Sequence, residues 1–255
     1  MATELAWLVP VFLAVAFTYA LAGFGGGSTY LAVLALAGWS AADMRVTALV
    51  CNIVVAGGAT VRYARAGRLP WRRALPLVLV SVPAAYLGGR VDLPREQFLG
   101  LLGGVLLLAG AAMWVRPAGQ PPGAAPNPAA SGPPWPEAAL GGGLGLLAGL
   151  VSIGGGIFLA PVLFLRRWAA ARSIAAVTSL FICVNSLAGL AGRAAGGSGW
   201  PWGALGVLGL AVLAGGQLGT RATLRHLPPA AIRRTAAVLV LLVGARLLYR
   251  AVVAP

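Results

Sequence analysis

Apolar positions fall in ten runs, approximately 5–22, 27–38, 43–61, 74–90, 97–115, 138–150, 155–165, 173–192, 202–220 and 235–253, with most arginines in the short gaps between them. An α-helix rises about 1.5 Å per residue, so the runs near twenty residues match the ~30 Å hydrocarbon core of a bilayer. Runs of eleven to thirteen residues (27–38, 138–150, 155–165) do not. Two of these short runs begin at glycine triplets, in LAGFGGGSTYLAVLAL at 21–36 and LVSIGGGIFLAPVLFL at 150–165. Each glycine costs a helix roughly 1 kcal/mol relative to alanine, so three in succession predict a break inside an apolar segment.

The two triplets also mark an internal repeat. Gly25, Gly26 and Gly27 fall on Gly154, Gly155 and Gly156, and Trp39 falls on Trp168 at the same spacing. Asn52 lies near Asn185, Pro70-Trp71 matches Pro201-Trp202, and Leu87-Gly88 matches Leu218-Gly219 with small shifts. Ordered coincidences of this kind predict a duplication. The Pro/Gly/Ala-rich stretch 117–136 reads as a flexible linker between a first transmembrane repeat, 1–116, and a second, 137–255.

Composition agrees with a membrane protein: 59% of the 255 residues are hydrophobic and only 9% are charged. The net charge of +14 could suggest nucleic acid, but the arginines sit between apolar runs rather than along a polar face, as membrane topology requires. No nucleic-acid partner is expected, and the lipid bilayer is. The first run lacks a basic n-region and a clear cleavage site, so it reads as part of the mature chain.

Arginine counting separates two topologies. If each broken segment crosses once, giving eight spans, the two sides carry ten and nine arginines. If each broken segment is instead a hairpin that returns to its own side, each half has three full crossings and the halves are inverted. One side then holds thirteen arginines, including Arg62 to Arg73, Arg166 to Arg172 and Arg221 to Arg234, against six. The positive-inside rule favours the second model with both termini outside the cytoplasm, although a first arm as long as 5–22 could still cross. The expected fold is an all-α membrane protein with two homologous, inverted halves, each with a Gly-broken first segment, re-entrant or kinked, plus three transmembrane helices.

Irregular backbone at membrane depth is tolerated where it lines a cavity, which is where transporters with broken helices bind solutes. New half-helices starting at Ser28 and Ile157 would turn free N–H groups and positive dipole ends into that cavity, an arrangement that attracts anions. The expected solute-binding residues are Gly25, Gly26, Gly27, Ser28 and Thr29 in the first half, and Ser152, Gly154, Gly155 and Gly156 in the second. Asn52 and Asn185, with Thr47, Thr178 and Ser179, are polar groups in the first full span of each half. Asn52 and Asn185 join the expected site, with interhelical hydrogen bonding as the competing role. Gln217 and Tyr86 are weaker candidates. The other glycine clusters, Gly100-Gly103-Gly104 and Gly141-Gly142-Gly143-Gly145, read as close helix packing.

The acidic residues Glu4, Asp43, Asp92, Glu96 and Glu137 all lie near run ends or in gaps, which disfavours a cation pump. Cys51 and Cys183 sit in apolar runs and His226 stands alone, so neither a disulfide framework, a metal site nor a cofactor is expected. No Ser/His, paired-Asp or HExxH arrangement points to an enzyme.

Gly23-Phe24-Gly25-Gly26-Gly27 with Asn52, and Ile153-Gly154-Gly155-Gly156 with Pro161 and Asn185, resemble the sulfite exporter TauE/SafE family over most of the chain, about 5 to 253. The resemblance implies export, or in some members uptake, of small anions such as sulfite, sulfonates, sulfoacetate or carboxylates. It also implies a multi-pass protein of a bacterial inner membrane. One departure is that Ser28-Thr29-Tyr30-Leu31 has no proline where the second half has Ala160-Pro161, so the two half-helices are expected to differ in shape. The expected function is a secondary transporter, with export as the expected direction, for a small anion held at the midplane between the two breaks. An anion channel and an accessory membrane protein are the alternatives. A homodimer is one oligomeric state the sequence leaves open.

Overall fold

The computed structural model describes residues 2–90, parts of 103–115, 135–151, 153–194 and 202–253. Helices with defined bounds are α1 (Ala2–Leu21), α2 (Gly27–Leu36), α3 (Ala41–Arg65), α4 (Trp71–Arg90), α5 (Trp135–Val151), α6 (Gly156–Leu165), α7 (Ala171–Ala194), α8 (Trp202–Arg225) and α9 (Pro229–Val253). The described residues of 103–115 are helical too and lie along α9, where a methyl on Gly103 would come within 2.8 Å of the Gly244 carbonyl oxygen. The described residues contain no strand, so the fold is all-α. Stretches Ala42–Arg65, Ala171–Gly192 and Trp202–Arg225 are long and apolar enough to cross a membrane. Helices α2 and α6, ten residues each, reach only about 15 Å.

Apolarity alone underestimates one element. The run 138–150 belongs to the seventeen-residue α5, so the last two residues of the expected linker, Trp135 and Pro136, are helical. Pro136 sits in the first turn, where an N–H has no intrahelical partner to lose. The rest of the linker, 117–134, lies outside the described residues.

Two glycine rails set the packing. A methyl on Gly141, Gly145 or Gly149 of α5 would overlap the carbonyl oxygens of Leu77, Ser81 and Ala85 on α4. A methyl on Gly215 or Gly219 of α8 would overlap those of Leu13 and Phe17 on α1. One turn further, Thr223 Oγ1 donates to the Leu21 carbonyl at 2.9 Å. With no Cβ at every fourth position, backbones approach closely and gain dispersion contact where lipid provides no hydrophobic drive between helices. Among the described residues these are the two most extensive helix pairs, and in each the residue numbers rise together, so the helices run in the same direction.

The helices also exchange in pairs. Helix α1 packs on α8 as α5 packs on α4, α3 packs on α8 as α7 packs on α4, and α3 packs on α7. In the last pair, Gly57 lies against Cys183 and Gly189 against Leu49, so α3 and α7 run oppositely. On α1 and α2, Phe12 stacks on Tyr30 at 4.6 Å, and Leu8 and Leu34 share the same buried cluster.

The loops rich in arginine meet at one end. Arg172 donates to the carbonyls of Thr223 (3.2 Å) and Leu227 (3.1 Å), and Arg62 donates to Gln217 Oε1. The Arg73 guanidinium lies 4.1 Å from the ring centre of Trp168, a cation–π contact. At the other end, a methyl on Gly192 would lie 3.8 Å from Arg90 Cγ.

Candidate functional site

Both breaks have the same local cause. Gly26 (φ 94°) and Gly155 (φ 75°) occupy the left-handed region at the N-caps of α2 and α6, a conformation costly for any residue with a Cβ. Gly26 O accepts from the Thr29 and Tyr30 amides at 2.9 and 3.0 Å, and Gly155 O from the Phe158 and Leu159 amides at 3.1 and 3.2 Å. The amides of Gly27 and Ser28, and of Gly156 and Ile157, precede any residue able to accept from them within the helix.

The half-helices end alike as well. Gly38 and Trp39 donate to Ala35 and Leu34 at 3.1 Å each, and Arg167 and Trp168 to Phe164 and Leu163 at 3.2 and 3.0 Å. Arg167 (φ 51°) takes the left-handed position that Gly38 takes in the first half, as the one non-glycine residue with positive φ among those described. The two half-helices thus share their length and the geometry of both ends. Pro161 lies inside α6, yet α6 keeps the length and caps of α2, because its missing N–H removes only one bond of the short helix.

Each break is fastened by the other half. Ser179 Oγ on α7 donates to Gly23 O (3.1 Å) as well as Ala175 O (2.8 Å). Asn52 Nδ2 on α3 donates to Ile153 O at 3.3 Å. Asn52 is fully buried and touches both triplets: a methyl on Gly25 would overlap its Oδ1, one on Gly27 its Nδ2, and one on Gly154 would lie 3.1 Å from Nδ2. Ile182 on α7 also touches both, at 3.2 Å from a methyl on Gly25 and 3.0 Å from one on Gly154. The two breaks thus meet on Asn52 and Ile182.

Of the expected residues, Gly25, Gly26, Gly27, Ser28, Gly154, Gly155 and Gly156 are buried around this junction, and Thr29 is partly buried with its hydroxyl 2.6 Å from Tyr19 OH. Ser152 lies outside the described residues. Asn185 is buried, and neither of its amide atoms has a hydrogen-bond partner. The repeat offset that carries Gly25 to Gly154 carries Asn52 to Phe181, and Asn185 lies one turn beyond. The second triplet accordingly packs against Thr178, Phe181, Ile182 and Ser186. Gln217 pairs with Arg62 and lies against Gly58 of α3, and Tyr86 lies 5.4 Å from the Arg90 guanidinium near the end of α4.

Two residues at the junction were not legible. Ser186 Oγ, fully buried without a partner, points at Gly154, where a methyl would lie 2.9 Å away. Its only sequence signal is its place one turn after Ile182. Arg246 of α9 donates to the Ser28 carbonyl oxygen. An arginine inside the apolar run 235–253 was the signal, and counting it as a topological charge hid it. The reading that the arginines sit between apolar runs is corrected at this position: Arg246 lies within a run and reaches the first break.

A fully buried amide beside two helix N-termini and a guanidinium can bind an anion without proton exchange by the protein. The model of the family described as sulfite exporter TauE/SafE matches residues 8–247. The chain belongs to the sulfite exporter TauE/SafE family. It is 33% identical over 254 residues to "Probable membrane transporter protein y4hK" of Sinorhizobium fredii (strain NBRC 101917 / NGR234), covering 98% of this chain and 100% of that protein. No solved structure matches. Membership makes this a multi-pass membrane protein of a transporter family, in keeping with its apolar helices.

Proposed function

We propose that this chain is a secondary transporter for a small oxyanion such as sulfite, a sulfonate or sulfoacetate, held once per molecule where the two glycine breaks meet. The observation that carries this reading is the sharing of Asn52: Gly25 and Gly27 from one break, and Ile153 and Gly154 from the other, close on the same side chain. The first-turn amides of α2 and α6, with Arg246 at Ser28, supply the positive potential.

In this transporter, residues 1–116 and 137–255 are inverted repeats. The opposite course of α3 and α7, the exchange of packing partners and the clustering of arginine loops at one end support it. The stacking of Phe12 on Tyr30 supports a first segment that enters and returns, with the arginine-rich end cytoplasmic. The family's description favours sulfite export, and a bacterial inner membrane is the membrane this reading assigns. Protein reconstituted into vesicles should show saturable sulfite flux and counterflow. Flux that never saturates would identify a channel instead, and no flux of any candidate anion would leave an accessory role.

A further inference from the structure

The amide of Asn52 has an orientation that follows from its surroundings. Ile153 O needs a donor, so Nδ2 faces it at 3.3 Å, and Oδ1 is thereby turned to Gly25, fully buried with no hydrogen-bond partner. A buried acceptor left unsatisfied costs about 1–3 kcal/mol, which points to a donor that arrives with the solute. Ser186 Oγ, equally buried and unpartnered beside Gly154, is a hydroxyl able to donate to an oxygen on that solute. Dipole ends and Arg246 satisfy negative charge but offer nothing to Oδ1. Resting on the oxyanion reading above and narrowing it to solutes with a second ionisable oxygen, such as sulfite, we infer that the solute is carried as its protonated, singly charged form: its O–H donates to Asn52 Oδ1, and a charged oxygen accepts from Ser186 Oγ. A fully deprotonated dianion would set a negative oxygen against the carbonyl oxygen of Asn52.

Among the described residues, the ionisable side chains packed around the junction are Tyr19, Tyr30, Cys51, Cys183 and Arg246, from α1, α2, α3, α7 and α9. None of them is a carboxylate or an imidazole. The proton that sets the pH dependence is then the solute's.

The experiment compares sulfite with methanesulfinate, in which a methyl replaces the hydroxyl of the protonated form, using purified full-length protein and calorimetry across a pH series. Sulfite affinity should be constant below its second ionisation and fall about tenfold per pH unit above it. Methanesulfinate should bind on the order of 100-fold more weakly with no pH slope, because a site built for a hydroxyl rejects the analogue lacking it. Asn52→Ala should bring the two ligands to similar affinity, and Ser186→Ala should weaken both while keeping the sulfite slope. Thermal unfolding checks that each variant is folded, and the pH series on the unmodified protein needs no variant at all. Equal binding of both ligands, a matching pH slope for methanesulfinate, or sulfite binding that needs sodium rather than the solute's proton would overturn this inference alone. Failure of sulfite, methanesulfinate and sulfoacetate alike to bind at any pH would overturn the oxyanion reading itself.

Discussion

Exchanging Gly25 for alanine tests whether Asn52 fills the space between the breaks. Gly25 has no positive φ, so the cost of Gly25→Ala is steric: the methyl would overlap Asn52 Oδ1 and lie 2.9 Å from its Cγ and 3.2 Å from Ile182 Cγ2. Overpacking of this kind costs about 1–3 kcal/mol. Asn52→Ala removes the bond to Ile153 O and leaves a buried carbonyl unpaired, again about 1–3 kcal/mol. In the double variant the alanine methyl occupies the space the amide has left, so the two costs should fall short of their sum by about 1–2 kcal/mol. Unfolding of purified protein in detergent reads this directly, as roughly 2–4 °C of melting temperature per kcal/mol for a chain of this size. Strict additivity would refute the contact and, with it, the meeting of the two breaks. Gly26→Ala and Gly155→Ala are poorer probes, because positive φ and contacts to Tyr30, Ala148 and Phe181 penalise them whatever the solute does.

Other expectations concern charge, topology and packing. Arg246→Gln should weaken anion binding about 10- to 100-fold, the worth of a charged hydrogen bond, and Arg246→Lys should recover part of it; unchanged affinity would remove Arg246 from the site. Cysteines replacing Arg68 and His226, in the 62–73 and 221–234 loops, should both be labelled from the cytoplasmic side, and labelling from opposite faces would reject inversion. Gly219→Ala should destabilise the protein by about 1–3 kcal/mol through the Phe17 carbonyl, while sulfite affinity of the folded fraction stays unchanged; a selective loss of affinity would show that the rail also shapes the site.

The sequence made the breaks legible because their cause is local: a glycine triplet interrupts a helix whatever surrounds it. The Gly141 and Gly145 rail was legible for the same reason, since spacing alone brings small residues to one face. Ser186 and Arg246 were not, because their place at the junction depends on how helices far apart in sequence meet. Asn185 shows where matching by residue type stops being precise. Similar residue type at similar spacing suggested equivalence with Asn52, but a four-residue shift is one full helical turn, and the contact to the second break passes to its neighbour Ser186. The limits of α5 were obscured by Trp135, Pro136 and Glu137, which are not apolar by pattern yet begin a helix.

Calorimetric titration of sulfite into the unmodified protein tests the central claim most directly. One bound anion per chain, with affinity reduced by Asn52→Ala on the first half and by Ser186→Ala on the second, is the result expected of a single site shared by both breaks. Two independent sites, or a single site indifferent to one of these substitutions, would contradict it.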